Sequence, residues 1–250
     1  MTATKAITNE VVMKKVENLF YKDPNNFLLI EVGANDGCLA DRMRPFVSKC
    51  DPNAVMVEPL PDYFEQLKKN YSSLKNIRYE NCALSDQECQ KTMTYIPRDI
   101  ITSGKVSFRL EGSPHLWKEH WAGGLGSFYK DKNNLGCPEL KEYQKEIVVN
   151  VKTFNYLFEK YDADKYKNIV IQTDCEGHDL CILRSFDFNK IKPKMYISEI
   201  YGHTRYPPSH PRFEKEVGIY SQDDENEAKE IFIQKGYTLY RKGDLVAILE

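Results

Sequence analysis

FLLIEVGANDG, running from Phe27 to Gly37, joins an unbroken apolar run to a turn with two glycines, and that junction decides the fold. Phe27, Leu28, Leu29 and Ile30 leave no polar face, the pattern of a parallel strand covered on both sides, and Glu31 stands where the strand ends. Gly33 and Gly37 let the backbone turn tightly beneath a ligand. Open parallel sheets bind ligands beyond the carboxyl ends of their strands, so Glu31, Asn35 and Asp36 fall where a bound molecule is read. A dinucleotide fingerprint starting at Gly33 needs glycines where this chain carries Asn35 and Cys38, so a pyrophosphate cradle is poorly supported.

A ligand without phosphates but with an amino-acid moiety suits this turn better. Glu31 or Asp36 can meet an ammonium group, and main-chain N–H groups can meet a carboxylate; S-adenosylmethionine carries both. The next acidic strand end is Glu58, after the run Ala54 to Val57, where a carboxylate can accept both hydroxyls of a ribose. Pro59 and Pro61 stop that strand, and Asp62 is the expected cap of a helix carrying Tyr63, Phe64, Leu67 and Tyr71. Ile77 to Glu80 reads as a third strand. Its exit loop, Asn81 to Asp86, brings Ala83 and Ser85 to the same edge, in a kind of loop whose main-chain groups read a flat base.

At 250 residues and 41% hydrophobic, the chain can build one substantial core, and no stretch has the composition of a long linker, so a single domain over 1–250 is expected. A net charge of −2 gives no drive toward nucleic acid. The seven cysteines form no CxxC pair and read as free thiols of a reducing compartment. The N-terminus lacks the apolar core of a leader, and no 18-residue apolar span exists, so a cytoplasmic protein without membrane insertion is expected.

Along the chain, Thr8 or Asn9 caps a helix within 1–24 that ends before Asp23-Pro24. Thr92 to Ile96 and Glu146 to Val151 alternate as strands do, and residues 99–138 between them read as a loop insertion near the substrate site. In it, His115, Trp117, His120 and Trp121 form either a sugar-stacking surface or a buried anchor. A helix over Thr153 to Tyr161 feeds the strand Asn168 to Thr173, the polar turn Asp174 to Asp179, and a helical stretch with Leu180, Ile182, Leu183 and Phe186. Lys194 to Glu199 is another strand, followed by a loop containing Tyr201 and His203. A helix around Glu225 to Gln234 precedes a hairpin turning at Lys242-Gly243-Asp244. The sum is an α/β fold with helices on both faces of a mostly parallel, seven-stranded sheet that ends in an antiparallel hairpin.

In that order the segments resemble the FkbM-type family of S-adenosylmethionine-dependent methyltransferases, over roughly residues 25–250. EVGANDG (Glu31 to Gly37) is similar to the family's first cofactor motif, VEPLPDYFEQLKKN (Val57 to Asn70) to its second, and NCALSD (Asn81 to Asp86) to its adenine-side loop. GSF (Gly126 to Phe128), VKTFNYLF (Val151 to Phe158) and above all IQTDCEGHDLCIL (Ile171 to Leu183) follow in sequence. The chain departs from the pattern over 99–138 and at Gln172, where the family usually has a lysine or similar long polar residue. The resemblance implies a Rossmann-like class I methyltransferase fold. It implies S-adenosylmethionine as cofactor, S-adenosylhomocysteine as product, and contacts from Glu31, Gly33, Asn35, Asp36, Gly37, Glu58, Pro59, Ala83 and Ser85. Similar members often methylate hydroxyls of sugars or small natural products.

Methyl transfer needs a nucleophile held in line behind the methyl, and a protonated sugar hydroxyl is a poor one without a base. Asp174 follows a buried strand and is the expected base or acceptor-orienting group, with Glu199 and His178 supporting it. Glu176 either caps the next helix or touches substrate; Ser127, Tyr201 and His203 are the other acceptor-side residues. Asp174, Glu176, His178, Glu199 and His203 are also of types that ligate a divalent metal, but their spacing fits no compact ligand signature, so no metal is predicted. The expected function is O-methylation of a sugar, glycan or similar hydroxylated metabolite, with glycosyltransferases as partners or fusions if the chain serves glycan building. Alternatives are methylation of nucleic acid or protein, which needs a basic groove; a nicotinamide-dependent oxidoreductase, disfavoured by the missing middle glycine; and a noncatalytic cofactor-binding module.

Overall fold

The computed structural model describes residues 4–38, 41–103, 108–109, 116–117, 125–129, 138–200 and 220–250. Its strands are β1 (Lys5–Ala6), β2 (Phe27–Val32), β3 (Ala54–Val57), β4 (Ile77–Glu80), β5 (Ala83–Leu84), β6 (Cys89–Tyr95), β7 (Phe108–Arg109), β8 (Leu116–Trp117), β9 (Lys145–Lys152), β10 (Asn168–Thr173), β11 (Met195–Ser198), β12 (Thr238–Lys242) and β13 (Asp244–Ile248). The helices are α1 (Asn9–Lys22), α2 (Arg44–Cys50), α3 (Pro61–Asn70), α4 (Arg98–Thr102), α5 (Phe154–Lys160), α6 (Asp179–Arg184) and α7 (Gln222–Gln234).

The main sheet has the order β1-β12-β13-β11-β10-β2-β3-β4. From β4 to β11 every pairing is parallel, and β13 runs antiparallel to both β11 and β12. All six residues of β2 are buried because the alternating side chains enter two cores. Leu28, Ile30 and Val32 pack with α5, α6 and α7, while Phe27 and Leu29 pack with α1, α2 and α3. A strand flanked by helices on both faces buries every position, which is why its apolar run does not alternate; Glu31, near its end, is the buried polar exception and accepts a hydrogen bond from Gln172 of β10.

The fold differs from the expected one in three ways. It is an eight-stranded mixed sheet, because Lys5 and Ala6 add a parallel edge strand to Tyr240 and Arg241; both are exposed, so no burial pattern marks them. The alternating segments around 92–96 and 146–151 do not join it. They form a separate sheet of order β5-β9-β6, with Met93, Val149 and Val151 packed on Leu60 and Tyr63. The third difference is α2, whose seven residues bury only Phe46 and Val47 and give little periodic signal. Asp62 does not cap α3 either: Leu60 holds the cap position and Pro61 opens the first turn, as its fixed φ favours. Thr8 and Thr153 do cap their helices, each accepting a main-chain N–H. Of the expected insertion over 99–138, the described parts are the end of α4, the short β7–β8 pair, residues 125–129 and residue 138, which begins the 3₁₀ turn Pro138–Tyr143; His115, His120 and Trp121 lie outside the described residues. No helix among the described residues is long and apolar enough to cross a membrane.

The chain lays β2, β3 and β4 outward in one direction, then returns to place β10 and β11 on the other side of β2. The carboxyl ends of β2 and β10 therefore meet where the strand order reverses, and loops leaving such a point diverge and open a crevice. Gly33, at φ +78°, permits the close contact there: a Cβ on it would stand 1.9 Å from the carbonyl oxygen of Asp174. Gly33→Ala is expected to lose about 3 kcal/mol or more in urea unfolding, through left-handed strain plus a displaced backbone. Gly243→Ala, at φ +74° with open space around it, should lose only about 1 kcal/mol. Equal losses would show that backbone strain alone, not the approach of Asp174, constrains residue 33.

Candidate active site

Each parallel strand passes its next residues to a neighbour. Gly33 and Ala34 donate their N–H groups to the Val57 carbonyl at 2.9 and 3.0 Å, Asp174 N donates to Val32 O at 3.0 Å, and Glu199 N donates to Thr173 O at 3.0 Å. The turn after β2 is then fixed from β3. Glu58 accepts Asn35 N on Oε2 at 2.9 Å and Leu60 N on Oε1 at 2.8 Å, holding Asn35 in its left-handed conformation at φ +51°. Asp36 Oδ1 accepts Cys38 N, and Asn70 of α3 donates to the Asp36 carbonyl.

A cleft with an empty volume of about 950 Å³, counted out to its open mouth, lies above these strand ends. Its floor is Glu31 to Asn35, one side is Glu58, Pro59, Ala83 and Leu84, and the other is Gln172 and Asp174 to Glu176. Met93, Leu125, Gly126, Phe128 and His178 close it from the small sheet's side. Of the residues expected around a cofactor, Glu31, Gly33, Asn35, Glu58, Pro59 and Ala83 line this cleft. Asp36 and Gly37 instead shape the turn below it, where a Cβ on Gly37 would strike the Tyr71 ring at 2.5 Å. Ser85 also lies behind the lining, hydrogen-bonded to Asp86 and His178.

The lining is acidic and short of donors. Glu31 is 2% exposed; Gln172 donates to its Oε1 at 3.1 Å, but its buried Oε2 meets no donor among the described residues and has the Asp41 carboxylate beside it. Burial, then the charge of Asp41, holds the Glu31 carboxyl well above the usual range. Burial also pushes Glu58 up to about 7, against the opposing pull of the two N–H groups it accepts. No lysine or arginine is among the described residues of the lining.

The turn after β10 holds the expected catalytic group. Among the described residues, one carboxylate oxygen each from Asp174, Glu176 and Glu199 lie within 4.8 Å of one another, so two adjacent strand ends do converge. Asp174 and Glu176 line the cleft, while Glu199 stands behind them. Glu176 is not the cap of α6: it sits at φ +49°, and His178 occupies the cap position without a side-chain hydrogen bond to the helix. His178 is 4% exposed, its Nε2 lies 2.9 Å from Ser85 Oγ, and Phe128 meets its ring edge-on at 4.9 Å. Because Ser85 gives its proton to Asp86, Nε2 is the donor and Nδ1 carries no hydrogen. Burial, then the charge of Lys91, lowers its pKa to about 4, leaving a neutral imidazole near pH 7. Ser127, expected on the acceptor side, is buried behind the lining. Tyr201 and His203 lie outside the described residues.

Asp41 is the charged lining residue that the sequence reading missed. Its Oδ1 accepts Met43 N and Arg44 N at the start of α2, and its Oδ2 accepts the Tyr71 hydroxyl at 2.8 Å. The signal available was an aspartate four residues before Pro45, an ordinary helix-start pattern. Met93, Leu125 and Phe128 were missed as cleft residues because they come from the small sheet and the segment bridged to it.

The family model described as the methyltransferase FkbM domain matches residues 31–228, and the chain belongs to that methyltransferase family. Among solved structures it is similar to methyltransferase FkbM from Methylobacillus flagellatus KT, with 10% sequence identity and a TM-score of 0.43, over 93% of this chain and 47% of that one. The chain thus spans about half the length of that structure. A search of the curated proteins finds no match.

The folded imidazole of His178 resists protonation down to about pH 4, whereas an unfolded one takes a proton below its ordinary 6.5. Its stability cost therefore appears as pH falls through 6.5 and is complete below about 4. The stability advantage of the parent over His178→Gln is expected to shrink by about 2–3 kcal/mol between about pH 7.5 and 4.5 in urea unfolding, with other titrating groups cancelling. An advantage independent of pH would contradict the neutral, buried imidazole.

Proposed function

We propose that the chain is an S-adenosylmethionine-dependent O-methyltransferase that acts on a hydroxyl of a sugar, glycan or similar hydroxylated metabolite, on a Rossmann-like class I fold. The observation that carries this reading is the pair of buried acids Glu31 and Glu58, on adjacent strand ends, facing a cleft whose described lining residues include no lysine or arginine. Such a surface fits a ligand that brings positive charge and hydroxyl donors. Family membership supports methyl transfer, and the C-terminal antiparallel hairpin on a parallel sheet supports the class I reading.

When bound, S-adenosylmethionine supplies a methyl group made electrophilic by its sulfonium sulfur. Glu31, with Asp41 beside it, offers an acceptor for the ammonium group, and the remaining lone pairs of Glu58 suit ribose hydroxyls. Ala83, Leu84, Met93 and Phe128 give an apolar slot of the kind a purine fills. Asp174 is the group that accepts the proton of the acceptor hydroxyl, with Glu176 directing hydroxyls toward it and Glu199 supporting it from behind the lining. The neutral His178 packs the wall and excludes water. Because the described lining is carboxylate-rich, polyanionic acceptors such as nucleic acid are disfavoured.

Transfer of a tritiated methyl group from S-adenosylmethionine to a panel of mono- and oligosaccharides, with and without chelator, tests this reading. The parent should label a hydroxylated acceptor as a base-stable ether, and Asp174→Asn should lower turnover by about 10²–10⁴-fold. Label that appears only in RNA, DNA or protein, or unchanged turnover by the variant, would contradict it.

A further inference from the structure

We infer that Ser127 is a positioning residue: its hydroxyl ties the small sheet to the Asp174–Gly177 turn and fixes the geometry of the proposed base. This rests on the reading of Asp174 given above. Ser127 is 1% exposed, and its hydroxyl is engaged on both sides, accepting Tyr129 N at 3.1 Å and donating to the Glu176 carbonyl at 2.9 Å. With its proton given to protein and its oxygen buried, it is not placed to bind an acceptor.

The turn it reaches needs outside support. Glu176 at φ +49° and Gly177 at φ +96° are successive left-handed residues, and a non-glycine residue there persists only when its surroundings over-determine it. From below, Asp174 N is fixed on Val32, and Asp179 Oδ2 accepts Cys175 N at 3.1 Å. From above, Ser127 supplies the hydrogen bond to the Glu176 carbonyl.

Ser127 in turn is held by a rigid partner. Thr94 of β6 exchanges both main-chain hydrogen bonds with it at 2.9 Å, and Thr94 Oγ1 adds a third to the Ser127 carbonyl. The following residue, Phe128, packs against His178 and lies 4.3 Å beneath the Lys91 ammonium of the same strand. Gly126 completes the fit, since a Cβ there would come within 3.0 Å of Leu60 and 3.1 Å of the Met93 sulfur. The small sheet thus acts through one serine on a turn belonging to the large sheet.

Ser127→Ala removes the tie, and Thr94→Val removes a hydrogen bond of similar size from the same segment while leaving the Glu176 bond intact. Hydrogen exchange is read for peptides spanning 172–180, calorimetry for S-adenosylmethionine affinity, and turnover with a labelled acceptor. Ser127→Ala should speed exchange in that peptide and lower kcat by about ten- to a hundred-fold with cofactor affinity unchanged, and Thr94→Val should do neither. Unchanged exchange in Ser127→Ala, or equal effects of the two variants, would overturn the inference. If the parent binds no S-adenosylmethionine, the functional reading fails, and the exchange comparison alone decides whether Ser127 holds the turn.

Discussion

Contact between the Cα of Gly33 and the carbonyl of Asp174 is the constraint on which the rest of the site depends. Two parallel strands leave the sheet side by side, and only a residue without a Cβ lets the second turn lie directly on the first. Once it does, Val32 can accept Asp174 N, Val57 can accept the N–H groups of Gly33 and Ala34, and acids from separate strands face one crevice. The glycine is a packing requirement first, and the binding surface follows from it.

The acids gathered this way carry a burial cost that their hydrogen bonds offset only in part. Burial raises Glu31, Glu58 and Asp179, the last to about 6, and the charges that add to this are other carboxylates. A protein that keeps such groups together holds an electrostatic cost of the kind that a cationic, donor-bearing ligand relieves. The small sheet's side of the cleft is apolar and neutral: Met93 and Phe128 line it, and Phe128 packs on the His178 imidazole, whose pKa burial lowers to about 4.

The central strands were legible because burial on both faces suppresses alternation, and the strand-end acids were legible because they follow such runs directly. Glu58 shows the limit of that reasoning. Its position was read correctly, but its work in holding Asn35 N and Leu60 N depends on the turn folding back over it, which no local pattern states. The small sheet was legible as strands and not as a sheet, since pairing of β6 with β9 is a long-range fact and one face of each strand is open to water. His178 and Ser127 sit beside motifs that drew attention to them. Their hydrogen bonds run to Ser85 and Glu176, 93 and 49 residues away, and sequence spacing carries no record of such contacts.

Calorimetric titration with S-adenosylmethionine and S-adenosylhomocysteine, beside NAD and NADP, tests the central claim most directly when a Glu58→Ala variant is measured with the parent. The account predicts that both sulfur ligands bind, that the variant binds them more weakly, and that the nicotinamide nucleotides give no heat of binding. Binding of NAD or NADP alone, or sulfur-ligand affinity indifferent to Glu58, would contradict it.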